Sequence, residues 1–120
     1  MSHPQSLKEQ VEANLPKLDA RPEFAGDRLW LTFYLGGSAA NLAALAHVLK
    51  KNGWTNLDGW EGGMIYAKVE VDKSVSAIVE AAEATQKMCG QFGAVIDLID
   101  ADTSSVVEQS KFETLYRGWS

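Results

Sequence analysis

Asn52-Gly53-Trp54-Thr55-Asn56-Leu57-Asp58-Gly59-Trp60-Glu61-Gly62-Gly63 separates two periodic segments, and the fold turns on whether it contains a strand. Before it, Leu42, Leu45, Ala46 and Leu49 recur at the spacing of one helical face. Gly36-Gly37-Ser38 supplies the N-cap of that helix, and Gly53 is its natural C′ residue. After it, Met64 to Val71 alternates, with Ile65, Ala67, Val69 and Val71 on one side and Met64, Tyr66, Lys68 and Glu70 on the other. A strand from Trp54 to Trp60 would pair with this one as a hairpin.

Two registers fit that hairpin. A two-residue turn at Gly62-Gly63 sets Trp60 opposite Ile65, which buries both tryptophans and carries Asn56 and Asp58 into the core with them. A three-residue loop of Glu61-Gly62-Gly63 sets Trp60 opposite Met64, turns Leu57 inward and leaves Trp54 and Trp60 on the outer face. The second is preferred because an unpaired buried carboxylate is costly, with a bulge at Gly59 as its main complication.

Working outward, Arg28 to Leu35 alternates with Leu29, Leu31, Phe33 and Leu35 on one face and Trp30, Thr32 and Tyr34 on the other. Asp72 or Ser74 caps a further helix, with an inner stripe of Val75, Ile78, Val79, Ala82 and Cys89 that ends near Gly90 or Gly93. Ala94 to Asp100 reads as the last strand. The order β-α-β-β-α-β is the split βαβ pattern of a ferredoxin-like α+β sandwich, a four-stranded antiparallel sheet with both helices on one face. Residues 28–102 form this domain. Residues 1–27 hold a capping box at Ser6-Leu7-Lys8-Glu9, a helix from Leu7 to Asn14 and a connector interrupted by Pro16, Pro22 and Gly26. Residues 103–120 form an appendage that packs back on the domain; Val106, Val107, Ser110 and Lys111 permit a helix, whereas Phe112, Thr114 and Tyr116 permit a strand.

The face without helices should be polar if it meets water. Instead it collects Trp30, Tyr34, Met64 and Tyr66, with Val95 and Ile99 beside Asp97 if Ile96 and Leu98 point inward. Trp54 and Trp60 join it in the preferred register. Such a surface calls for a cover. Three are available: the chain's own termini through Leu7, Val11, Phe112, Leu115 and Trp119, a second copy of the chain, or a foreign partner.

The 120 residues are 46% hydrophobic and 22% charged, as a single globular domain is, with a formal charge of −5. Binding of nucleic acid through neutralised phosphates is not indicated by that balance. Lys50-Lys51 closes a helix, where cations suit the dipole. Cys89 is the one cysteine and lies on an inner stripe, a small hydrophobe rather than a reactive thiol. With no secretion signal at the start and no apolar run long enough to span a bilayer, the expected address is cytoplasmic, with no membrane insertion. No dinucleotide, Walker or zinc motif and no nucleophile elbow is present, so neither a cofactor nor a metal is expected. His47 flanks a helix stripe with no acid or nucleophile tied to it. Asp97, Asp100 and Asp102 cluster at the end of the last strand, read as an acidic contact patch before a metal site.

From Leu29-Trp30-Leu31-Thr32-Phe33, through the Leu-rich helix that exits at Asn52-Gly53-Trp54, to Gly90-Gln91-Phe92-Gly93-Ala94-Val95-Ile96-Asp97, the chain resembles the regulators of ribonuclease E activity, type B. The resemblance covers about residues 28–100. It implies a ferredoxin-like domain that inhibits an RNA-degrading enzyme by protein contact, without chemistry of its own. The acidic C-terminal tail of that family is replaced here by Leu115-Tyr116-Arg117-Gly118-Trp119-Ser120.

The expected function is therefore a non-enzymatic regulatory or protein-interaction module. Its partner is a protein, a ribonuclease if the resemblance holds, or a second copy in a homodimer. The expected contact residues are Trp30, Tyr34, Trp54, Trp60, Tyr66, Asp97, Asp100 and Asp102. The alternative is a small-ligand-binding or catalytic dimer of the α+β barrel type, with its ligand between helices and sheet and His47 or Tyr34 as the polar group. Stacking of RNA on Trp30, Tyr34 and Tyr66 fits the aromatics and conflicts with the charge.

Overall fold

The computed structural model describes residues 6–55, 59–60, 64–103 and 112–118, with Trp60 described by its backbone. The turn at 61–63, Asn56 to Asp58 with the inward placement of Leu57, the helix reading of Val106 to Lys111, and Trp119 lie outside the described residues. Helix α1 spans Leu7–Asn14, α2 Ala39–Lys51 and α3 Val75–Gly90. Strands run Arg28–Gly36 (β1), Gly59–Trp60 (β2), Met64–Asp72 (β3), Val95–Asp102 (β4) and Phe112–Arg117 (β5). They form one antiparallel sheet in the order β2-β3-β1-β4-β5.

Each helix starts where a hydroxyl replaces a missing carbonyl. Ser6, Ser38 and Ser74 accept hydrogen bonds from the backbone N–H of Glu9, Asn41 and Ala77. The exit from α2 sets the position of Trp54. Gly53 takes φ of 101°, its N–H donates to the Lys50 carbonyl at 3.3 Å, and the Trp54 N–H reaches the Leu49 carbonyl at 3.1 Å. Those two bonds make a Schellman cap, whose residue after the glycine packs back on the helix. Trp54 is accordingly buried in the core.

This corrects the expected outer position of Trp54, and the pairing supplies the reason. Thr55 bridges Lys68, whereas Gly59 pairs with Ile65 and Trp60 with Met64. Lys68 stands on the outer face of β3, so Thr55 opposite it does too, and Trp54, one residue earlier, turns to the helical side. Trp60 pairs with Met64, the register expected of it.

The core lies between the sheet and the three helices. Leu31, Phe33 and Leu35 of β1 and Ala67 of β3 meet Leu45 and Leu49 of α2 and Ile78, Ala82 and Cys89 of α3, all fully buried. The segment before Arg28 belongs to this core rather than standing outside it: Val11, Leu18 and Phe24 are also buried there. Helix α1 packs on α3 and extends the helical layer over β5. It also seals an edge. The Gln10 amide both accepts from the Arg117 N–H and donates to its carbonyl, Asn14 donates to the Leu115 carbonyl, and Arg21 to that of Phe112. These side chains take the place of a further strand along β5, one way of protecting a sheet edge from self-pairing.

Leu18→Ala should lower the stability of the whole chain by about 3 kcal/mol, because it removes a fully buried side chain from the shared core. Urea unfolding followed by tryptophan fluorescence reads this directly. A main transition left in place by the substitution would mean that the N-terminal segment is an independent appendage.

Candidate interaction surface

The pairing registers lay out the sheet face opposite the helices as a grid. One row reads Glu70, Trp30, Asp102 and Phe112 across β3, β1, β4 and β5. The next reads Lys68, Thr32, Asp100 and Thr114. A third reads Tyr66, Tyr34, Leu98 and Arg117. A polar row thus runs between two rows rich in aromatic side chains. Tyr34 and Tyr66 meet edge to face, with ring centroids 5.1 Å apart.

Burial on this face is the reverse of a solvated sheet. Thr32, Lys68, Asp100 and Asp102 are between 1% and 4% exposed, while Trp30, Tyr34, Tyr66 and Leu98 are half-buried and Phe112 is 59% exposed. Lys68 Nζ lies 2.9 Å from Asp102 Oδ2, and the Thr32 hydroxyl donates to the same oxygen. A buried pair of this kind holds only while both members are present. Asp100 is less well served. The Tyr34 and Thr114 hydroxyls bond its carboxyl group, yet Oδ1 has no partner. Burial, with the neighbouring Asp102 charge adding to it, raises the Asp100 pKa against the opposing pull of those hydroxyls and Lys68. Burial and then the Asp100 charge also push the Tyr34 hydroxyl well above the usual phenol range, which keeps it a donor.

The placement of the expected contact residues is mixed. Trp30, Tyr34 and Tyr66 do lie on this face. Asp100 and Asp102 lie there too, but as buried members of the network rather than as an exposed patch. They reach this face through a bulge in β4: Tyr34 pairs with Leu98 and Leu35 with Ile96, so Asp97 is skipped and the parity reverses after it. Ile99, expected outside, is fully buried opposite Phe33, and Leu98, expected inside, lies outside. Asp97 itself is half-buried, with Oδ2 only 2.6 Å from where a Cβ on Gly36 would sit, so any larger residue there would have to push the Asp97 carboxylate aside.

Thr32, Lys68 and Thr114 were missed as site residues. The alternation of β1 and β3 already placed Thr32 and Lys68 on this side, and a lysine amid outward aromatics was the available signal. Of the proposed terminal cover, Leu7, Val11 and Leu115 join the core on the helical side. That excludes them as a cover for the outer face.

Other candidates are plain in outcome. His47 is exposed on α2. Burial pushes the Cys89 thiol up to about 11, consistent with an inert core position. Among the described residues no three His, Cys, Asp or Glu side chains gather as metal ligands, and no helix is long and apolar enough to cross a membrane. Comparison of the chain with protein-family models, curated proteins and solved structures finds no match.

Lys68→Met should cost about 3–5 kcal/mol in urea unfolding, because it leaves Asp102 buried without its cation. Lys68→Met/Asp102→Leu should regain most of that loss; a single variant as stable as wild type would show that the pair is not buried in solution.

Asp100 generates a pH response of its own. A carboxyl with a raised folded pKa binds its proton more tightly in the folded chain, so its contribution to stability falls as pH rises from the ordinary carboxylate value to the raised one. Lowering the pH from neutral through that window should therefore stabilise wild type relative to Asp100→Asn. Parallel pH profiles for the two proteins would contradict the burial of Asp100.

Proposed function

We propose that this chain is a non-enzymatic protein-interaction module that regulates a partner by occupying it, with the outer sheet face as its contact surface. The observation that carries this reading is the rim of Trp30, Tyr34, Tyr66, Leu98 and Phe112 around a desolvated polar row. Interface centres are rich in aromatic residues around polar groups shielded from water. The β2-β3-β1-β4 order, with α2 and α3 as the two crossovers, supports a ferredoxin-like sandwich extended by β5 and α1.

A foreign partner is favoured over a second copy. A two-fold axis through the polar row would set Asp100 and Asp102 against their own copies, and desolvated like charges repel. The formal charge of −5 and the same carboxylates disfavour a phosphate backbone. A ligand between helices and sheet, as in the barrel-type alternative, would compete with the fully buried Phe33, Leu45, Leu49 and Ile78, while His47 lies exposed. The resemblance to the ribonuclease E regulators supplies a ribonuclease as the candidate partner, and the cytoplasm is the candidate compartment because the sequence reads without a secretion signal.

The test is retention of a ribonuclease E-type enzyme on the immobilised chain. Trp30→Ala/Tyr66→Ala should weaken it by about several hundredfold, since aromatic anchors at an interface centre are each worth about 2 kcal/mol. His47→Ala on the helical side should not. Equal retention by the face variant would overturn the assignment of the surface, and turnover of a small molecule by the chain would overturn its class.

A further inference from the structure

We infer that the polar row of the outer face is a binding site for an arginine side chain supplied by the partner; this rests on the interaction reading and adds the chemistry recognised.

Three features converge on that chemistry. The first is the unpaired acceptor. Asp100 is 2% exposed, and its Oδ1 has lost water without gaining a donor. A buried carboxylate oxygen in that condition is a standing cost that a matching donor relieves. The second is charge. Asp100 lies on the same face as Asp102 of the neighbouring row, whose Oδ2 holds the Lys68 ammonium, so two carboxylates share one cation. The third is the flanking rows. Trp30 and Tyr34 stand on either side of Thr32 along β1, four residues apart, which separates their Cα atoms by about 13 Å. Tyr66 lies beside Tyr34 and Phe112 beside Asp102.

A guanidinium suits that space better than an ammonium. It is planar, stacks on aromatic faces and donates through a fixed fork, so it can rest between the aromatic rows while it bonds Asp100. Reaching Oδ1 requires one of the flanking half-buried rings to turn aside. Tyr34 can do so at little electrostatic cost, because a cation arriving at Asp100 replaces the hydroxyl it would withdraw.

The experiment uses the intact chain and three small probes: N-acetyl-argininamide, N-acetyl-lysinamide and the uncharged isostere N-acetyl-citrullinamide. Amide and indole resonances are followed by NMR during titration. The arginine probe should give saturable shifts centred on Trp30, Thr32, Asp100 and Thr114. The lysine probe should bind more weakly, the citrulline probe should not bind, and Asp100→Asn should weaken the arginine probe about tenfold or more. Tyr66→Leu provides a second variant should Asp100→Asn perturb the fold, with a smaller loss expected.

Shifts of equal size with citrulline, or binding undiminished in Asp100→Asn, would overturn the arginine site. If the arginine probe fails while the Trp30→Ala/Tyr66→Ala variant still loses the ribonuclease, the docking surface stands and the arginine inference falls. If both fail, both readings fall.

Discussion

The contact between the Lys68 ammonium and the Asp102 carboxylate reaches across three strands, over Thr32 of the central one. It constrains the sheet more than its energy alone suggests. Strand side chains alternate with a period of two, so a one-residue slip of β3 or β4 would turn one of these charges into the apolar core. The pair holds only in the register that also sets Phe33 opposite Ile99 and Ala67. Correct placement of the polar row and correct filling of the core are the same condition.

That condition explains the two-sided character of β1. On one face Leu29, Leu31, Phe33 and Leu35 are covered by α2 and α3, and the burial of such side chains supplies most of the stability. On the other, a central threonine shares Asp102 with the lysine, and aromatics lie before and after it. The N-terminal segment and β5 enlarge the first face without altering the second: Val11, Leu18 and Leu115 extend the core, and Gln10, Asn14 and Arg21 close the edge.

Regular elements were legible in the sequence because each carried its own signal: Ser6, Ser38 and Ser74 at helix starts, Gly53 at a helix end, and strict alternation in β1 and β3. The illegible part came down to two pairing details. The bridge of Thr55 to Lys68 sets Trp54 on the helical side, and a bulge at Asp97 exchanges the faces of Leu98 and Ile99. A bulge reverses parity without a residue type that announces it, although Asp97 leaning over Gly36 marks this one. The part of the site on β1 and β3 could therefore be read from alternation; on β4 Asp100 and Asp102 were named, but Leu98 was placed on the wrong face. Trp54 was recoverable from its cap, since the residue after a C′ glycine commonly packs back on its helix.

The proposed contact surface lies on the sheet and away from the helices. Hydroxyl-radical footprinting of the free chain and of its complex with a captured partner tests this most directly. Protection of Trp30, Tyr34, Tyr66 and Phe112, with oxidation of Met88 and Phe92 on the helical side unchanged, is the result the account predicts. Protection confined to α2 and α3, with the four outer aromatics oxidised as fast in the complex as in the free chain, would contradict it.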